Sequence, residues 1–257
     1  MSDPALTYSR YLKVPELLAL QQCLSKPPQH DETLFIMIHQ VYELWFKQVL
    51  HEVDSAIAHL DADRAGEATR LLRRVVEIQR VLVAQVKVLE TMRPQDFLGF
   101  RYNLNPASGF QSVQFRELEF VLGLKNRALL QHLRSEPHET ARLEARLAGR
   151  ALPDAFDAFL ARRVGAWTTE DGRLQALVRL YEKEEHPDLL ALCEVLLDID
   201  EYLSLWRAHH VQMVERMIGA KRGTGGSDGV AYLQSTLPRR AFPDLWRVRT
   251  QLGEEPA

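Results

Sequence analysis

Cysteine is scarce in this sequence. The 257 residues include two cysteines, Cys23 and Cys193, which lie in unrelated sequence contexts. Two cysteines are too few for a disulfide framework or for a metal site with four cysteine ligands. We therefore expect a protein of a reducing compartment, and we predict a cytoplasmic location.

Long apolar runs and a strong charge of either sign are also missing. No stretch approaches the ~20 apolar residues that a membrane-spanning helix needs. The first eleven residues are polar and lack the apolar core of a signal peptide. The formal charge is -3 and the isoelectric point is about 6.3, so no general attraction to nucleic acid is expected. The sequence predicts neither a membrane partner nor a nucleic-acid partner.

The alternation of apolar and polar residues that marks β-strands is absent, whereas helical spacing is present along most of the chain. Apolar residues recur every three or four positions in three long segments, residues 33–60, 65–92 and 188–218. Gly219, directly after the third segment, is a typical helix stop. We predict an all-α fold in which residues 1–257 form a single domain, a bundle of long helices with few or no strands.

Glycine is concentrated in residues 219–232, which include Gly223, Gly225 and Gly226 around Thr224. A nucleotide-binding loop would follow a strand and open a helix, whereas this segment follows a predicted helix and lacks the lysine of a P-loop. Two interpretations remain open for it. It is either a substrate clamp in which Thr224 offers a hydroxyl group, or a flexible connector.

Two of the nine histidines lie within the apolar stripes of predicted helices. His39 follows Phe35 by four residues, and His210 follows Trp206 by four residues. These offsets place both imidazoles on the buried faces of their helices. A core histidine with a satisfied hydrogen bond is the commoner occupant of such a position. The alternative for His210 is an axial ligand of haem iron, presented from an apolar wall.

Other metal-binding patterns are missing. The paired Glu-x-x-His motifs of di-iron bundles and the His-Glu-x-x-His motif of zinc enzymes do not occur. The residues from Lys183 to His186 have suitable types at the wrong spacing. The sequence therefore gives little support to a zinc or di-iron site.

Arg101 is a candidate for binding a carboxylate. It closes the string Gly99-Phe100-Arg101, ahead of the turn at Ser108-Gly109. A guanidinium group can hold a carboxylate through two parallel hydrogen bonds. On sequence grounds alone, an ordinary surface arginine remains the simpler interpretation.

Several strings of residues together resemble the tryptophan 2,3-dioxygenase family, and the resemblance covers about residues 6–252. The strings are His30-Asp31-Glu32 with Leu34-Phe35-Ile36, His39-Gln40 and Glu43-Leu44-Trp45; Gly99-Phe100-Arg101; Ser108-Gly109-Phe110-Gln111-Ser112; Trp206-Arg207 with His210; and residues 221–227.

The resemblance implies an oxidoreductase that cleaves the indole C2–C3 bond of L-tryptophan with dioxygen. The product would be N-formyl-L-kynurenine, in the first step of tryptophan degradation by the kynurenine route. It also implies one haem b per subunit, ferrous when active, enclosed by the helical bundle. The assembly of the family is a homotetramer.

Roles for individual residues follow from the same resemblance. His210 would be the proximal ligand of the haem iron, and His39 would be the distal catalytic residue that accepts a hydrogen bond from the indole N–H. Arg101 would bind the substrate carboxylate, and Thr224 the carboxylate or the ammonium group. The residues implied to line the indole pocket and the haem are Phe35, Leu104, Ser108, Gly109 and Trp206.

The N-terminal segment, residues 1–15, would reach a neighbouring subunit's site and place Tyr8, Tyr11 and Leu12 there. One departure is visible at Phe97, where some members of the family carry a tyrosine beside the substrate carboxylate. Phenylalanine at this position removes one polar contact. Two alternatives remain open: a related haem enzyme such as a mono-oxygenase, and a non-catalytic sensor of haem or tryptophan.

Overall fold

The computed structural model describes residues 5–132, 137–225 and 228–253. Within these ranges the regular structure is helical and no β-strand occurs, which confirms the all-α prediction. In the same part of the chain, no helix combines the length and the apolar character needed to cross a lipid bilayer.

The helices differ widely in length, and two of them run for 32 residues each. In chain order they are α1 (Tyr8–Leu12), α2 (Val14–Leu18), α3 (His30–Asp61), α4 (Ala65–Leu89), α5 (Pro94–Arg101), α6 (Val113–Val121), α7 (Pro137–Ala148), α8 (Leu152–Val164), α9 (Glu170–Lys183), α10 (Pro187–Ile218), α11 (Val230–Gln234) and α12 (Pro243–Gln251). Short 3-10 turns cover Tyr102–Leu104, Gly109–Gln111 and Arg127–His132.

The three long helices form the centre of the fold. Helix α4 packs along both α3 and α10, while α6 and α8 cover another side of α3. The main core lies between them and contains fully buried aliphatic side chains such as Val53, Leu72 and Leu196. Each such side chain contributes roughly 1.5–3 kcal/mol when it leaves water. The predicted apolar stripes are therefore the faces that meet in this core.

Helix α10 carries His210 and has a well-defined start and end. Pro187 occupies the first turn, where its missing N–H costs nothing, and Asp188 adds a negative charge at the same end. The helix stops at Gly219, whose φ of 61° suits a residue without a side chain. The predicted helix stop is confirmed, and it places His210 near the carboxyl end of a long, rigid element.

A short helix ends at Arg101, and one segment predicted from the sequence differs in length. Residues 94–101 form helix α5, because Pro94 is tolerated at a first helical position and Asp96 favours the amino-terminal turn. The glycine-rich segment predicted over residues 219–232 is shorter, since helix α11 already begins at Val230. Gly226 lies outside the described residues.

Candidate functional site

A cavity of about 280 Å³ lies between α3, α5, α6 and α10 and is bordered by the segment that follows α10. Its wall is mainly apolar and aromatic. The structure brings most of the sequence-predicted site residues together around it: Phe35, His39, Phe97, Arg101, Ser108, Gly109, Trp206, His210 and Thr224.

Four of the sequence-predicted residues lie elsewhere: Leu104, Tyr8, Tyr11 and Leu12, of which Leu12 is 44% exposed at the end of α1. Leu104 packs against the small apolar cluster that contains Phe100 and Met213, beside the cavity. Tyr8 and Tyr11 lie on helix α1, where their side chains are 78% and 72% exposed. They do not reach the cavity of their own chain.

His210 enters the cavity wall from α10 without a hydrogen-bond partner among the described residues. Its ring stacks on Trp206 with a centroid distance of 5.2 Å and an interplanar angle of 8°. Burial, followed by the proximity of His39, lowers the pKa of His210 to about 4. The imidazole is therefore uncharged and keeps a nitrogen lone pair free. An ordinary core histidine would have this nitrogen satisfied.

His39 contributes a second uncharged imidazole from α3. Its Nδ1 lies 2.7 Å from the carbonyl oxygen of Phe35, one turn earlier. A carbonyl oxygen only accepts, so Nδ1 carries the proton and Nε2 holds the lone pair. Burial lowers the pKa of His39, against the effects of the Phe35 hydrogen bond and of Glu43. Nε2 is thus available to accept a hydrogen bond from an N–H group.

Three phenylalanines form an aromatic cluster next to His39. The ring centroids of Phe35 lie 5.6 Å from Phe97 and 5.5 Å from Phe100, and those of Phe97 and Phe100 are 5.4 Å apart. The Phe35 and His39 rings approach to 4.1 Å. A flat aromatic ligand would find offset and edge contacts on such a surface.

Arg101 and Thr224 connect the segment after α10 to the rest of the site. Arg101 Nη2 donates to the carbonyl of Arg222 at 2.5 Å, and Thr224 Oγ1 donates to the carbonyl of Ala107 at 2.6 Å. A Cβ atom on Gly225 would lie 2.6 Å from Ser108 Cβ, so this close approach requires glycine. The glycine-rich segment therefore lies against the 107–108 turn at the edge of the cavity.

A buried group of charges at the cavity wall was missed by the sequence analysis. Glu119 accepts hydrogen bonds from Arg116 Nη1 at 2.5 Å and from Arg207 Nη2 at 2.9 Å. The three side chains are at most 5% exposed. Two guanidinium groups and one carboxylate leave one net positive charge on the wall. Charged residues at helical spacing resemble a solvated face, so the sequence offers no signal of this arrangement.

Two polar groups of the wall lack partners among the described residues. They are the indole Nε1 of Trp206 and the hydroxyl of Tyr232, both buried and both in residues that line the cavity. Buried donors are normally satisfied. Together with the net positive charge of the arginine pair, these donors suit a ligand that carries carboxylate groups.

The residues present restrict the kind of metal the cavity can hold. Across residues 5–132, 137–225 and 228–253, no three His, Cys, Asp or Glu side chains come close enough to hold a metal ion. A single imidazole cannot hold a bare ion in place. It can serve as the axial ligand of iron that already has four nitrogen ligands, which is the situation in haem. His210 fits that role.

The fold and the cavity define a class of all-α protein that presents two uncharged imidazoles to one apolar ligand pocket. A sequence model of tryptophan 2,3-dioxygenase matches residues 1–140 and 150–252 of this chain. The chain belongs to the tryptophan 2,3-dioxygenase family.

Individual relatives support the same assignment. A tryptophan 2,3-dioxygenase from a Nocardioides species is 53% identical, over 96% of this chain and 95% of the relative. One from Herpetosiphon aurantiacus is 49% identical, over 96% of this chain and 99% of the relative. A third, from Xanthomonas euvesicatoria, is 42% identical over 96% of this chain and 88% of its own length.

Proposed function

We propose that this chain is a haem-dependent dioxygenase that cleaves the indole C2–C3 bond of L-tryptophan to give N-formyl-L-kynurenine, in the first step of tryptophan degradation. The observation that carries the proposal is the unpartnered, uncharged imidazole of His210 in the wall of a cavity that His39 also lines. Membership of the tryptophan 2,3-dioxygenase family supports the reaction and the substrate.

The cavity wall offers partners for two parts of haem b, the iron and the propionate groups. His210 supplies the axial nitrogen, and the apolar side chains beside it suit the porphyrin plane. Haem b also carries two propionate groups, which need donors or positive charge. Trp206 Nε1, the Tyr232 hydroxyl and the Arg116 guanidinium would hold those carboxylates.

Haem supplies the activation of dioxygen, which otherwise reacts sluggishly with a closed-shell indole. The side chains would bind and orient the substrate. Arg101, with Thr224, would hold the amino-acid carboxylate, and His39 Nε2 would accept the indole N–H. The rings of Phe35 and Phe97, tilted by 32° to each other, would contact the indole plane. These contacts would hold the substrate at two points, its carboxylate and its indole N–H.

The overall reaction adds both oxygen atoms of dioxygen across one carbon–carbon bond, which breaks. No external reductant is consumed, and no net proton enters or leaves. His39 therefore has no proton to supply over the full reaction, and we assign it a substrate-binding role through the lone pair of Nε2. A neutral His39 is required for that hydrogen bond.

We also propose a homotetramer in which residues 1–15 reach a neighbouring subunit. Helices α1 and α2 bury none of their residues within the chain, and Tyr8 and Tyr11 are largely exposed. Met37, Val41 and Leu44 add an exposed apolar stripe on α3. Large exposed apolar side chains in one region support a protein interface. We further propose a cytoplasmic location and a single haem-dioxygenase domain.

Turnover of the haem-loaded, reduced protein with L-tryptophan under ¹⁸O-labelled dioxygen tests the proposal. We expect formylkynurenine with two labelled oxygens, read as product mass. A product with one labelled oxygen would move the protein to the mono-oxygenases. A haem spectrum that responds to tryptophan without any product would favour a sensor. Either result would overturn the dioxygenase assignment.

A further inference from the structure

A second cavity, of about 40 Å³, lies inside the core where α3, α4, α6 and α10 meet. Val53, Val75 and Ile199 line it and are at most 1% exposed. These side chains belong to the centre of the main core, and we call this space the internal cavity.

An aromatic wall separates this internal cavity from the larger one that contains His210. Phe46, Phe115 and Trp206 line both spaces. The Phe115 ring lies 5.6 Å from Phe46 and 5.0 Å from Trp206, centroid to centroid. Trp206 in turn stacks on His210. The two cavities are therefore a single layer of aromatic side chains apart.

Few polar groups are available to hold water in the internal cavity. Gln79 donates to the carbonyl of Ile199 and leaves its Oε1 without a partner among the described residues. Glu119 is occupied by two arginines, and the Tyr202 hydroxyl accepts from the surface side chain of Arg80. A buried water needs about two to four polar partners. The unpartnered Nε1 of Trp206 adds one donor and the rest of the lining is largely apolar, so the space offers little more than the minimum that one ordered water needs.

We propose that this internal cavity is a binding site for dioxygen, beside the site at which the enzyme uses it. The proposal rests on the function proposed above for the identity of the gas. The space is apolar and exceeds the ~10–15 Å³ that a single water needs. Apolar cavities of this type stay dry and bind small apolar molecules such as xenon. Dioxygen held here lies one aromatic layer from the His210 pocket.

Xenon uptake by crystals of the haem-loaded protein tests the site without any turnover. We expect xenon density between Val53 and Val75 in the unaltered protein. Val75→Ile adds one methylene group to a side chain that lines the space and should remove that density, and Val53→Ile provides a second filling variant. Val195→Ile is the matched control, because Val195 is 2% exposed on α10 but does not line the cavity. Absence of xenon from the unaltered protein would overturn the proposal.

The Michaelis constant for dioxygen, measured at saturating tryptophan, tests the assignment to oxygen. We expect Val75→Ile and Val53→Ile to raise it several-fold and to leave the Michaelis constant for tryptophan unchanged. Val195→Ile should leave both constants unchanged. Unaltered oxygen dependence in both filled variants would overturn the assignment.

The two measurements separate this proposal from the proposed function. If the unaltered protein gives no product, the function fails and the oxygen assignment fails with it. Xenon uptake then still decides whether an apolar binding site exists. If the protein is active and xenon is absent, only the internal site is disproved.

Discussion

Hydrogen bonds distinguish the two site histidines from one another. His39 uses Nδ1 for the Phe35 carbonyl, which fixes its tautomer and leaves Nε2 as an acceptor. His210 has no hydrogen-bond partner among the described residues. The helical spacing of the sequence predicts that both side chains face inward. It does not show which nitrogen is engaged, because that depends on atoms contributed by the folded backbone.

Replacement of Arg101 tests the carboxylate site. Arg101→Ala should weaken tryptophan binding by about 1.5–3 kcal/mol, the typical contribution of a hydrogen bond to a charged group. Anaerobic titration of the haem-loaded protein with tryptophan measures this change. Arg93→Ala, at the residue that precedes the same helix, is the control, since Arg93 pairs with Asp96 at the surface. Equal affinity in the Arg101 and Arg93 variants would contradict the assignment.

Tryptophan binding should depend on pH through His39. Burial holds the pKa of His39 below its ordinary value of 6.5, so the imidazole stays neutral as the pH falls to that value. Affinity should therefore persist at pH 6.5 and decrease under more acidic conditions, as Nε2 becomes protonated and can no longer accept. The pH profile of the dissociation constant checks this. A decrease centred above pH 6.5 would be inconsistent with the buried, neutral imidazole.

At the scale of elements, the long helices were predictable and the polar contacts between them were not. The stripes over residues 33–60, 65–92 and 188–218 correspond to α3, α4 and α10, with ends shifted by up to three residues. The Arg116–Glu119–Arg207 group joins α6 to α10 within the protein interior. Arg116 and Glu119 are one turn apart on α6, but Arg207 lies 88 residues from Glu119, and only the packing of the two helices shows that they meet.

A buried carboxylate on α10 should be essential for docking of the last helix. Asp200 is fully buried and accepts hydrogen bonds from the backbone N–H groups of Ala241 and Phe242 and from Trp246 Nε1. Asp200→Ala leaves these three donors unsatisfied, so we expect a loss of about 3 kcal/mol or more in the free energy of unfolding. Urea denaturation measures it.

The control for this variant is Asp198→Ala, because Asp198 is exposed on the same helix. We expect its unfolding free energy to stay within ~0.5 kcal/mol of the unaltered protein. If both variants are equally stable, the role assigned to Asp200 in anchoring α12 is wrong.

For the molecule as a whole, the all-α class could be predicted from the helical spacing of apolar residues and the absence of strand-like alternation, whereas the site depends on long-range contacts. His39 and His210 lie on α3 and α10, two helices that are far apart in the sequence and that both pack against α4. Helical periodicity shows the inward face of each helix separately. The periodicity does not show which helix faces share a cavity. The expectation that His39 and His210 belong to one site came from the resemblance to a known family.

The exposed apolar stripe on α3 should be needed for assembly. Leu44 is 55% exposed, and Leu44→Glu places a charge in the proposed interface. We expect this variant to have a lower mass than the tetramer in light scattering after size-exclusion chromatography. His138→Glu adds the same charge on α7 at another exposed position and should remain tetrameric. An unaltered tetramer in the Leu44 variant would place the interface elsewhere.

Haem titration of His210→Ala, beside His209→Ala, is the sharpest test of His210 as the axial ligand. Neighbouring residues on a helix point about 100° apart, so the His209 variant removes an imidazole from the same helix and leaves His210 in the cavity wall. We predict that His210→Ala forms no stable haem complex, whereas His209→Ala binds haem like the unaltered protein. The Soret absorption band measures haem binding in both variants. An unchanged haem spectrum and affinity in His210→Ala would show that His210 does not bind the iron.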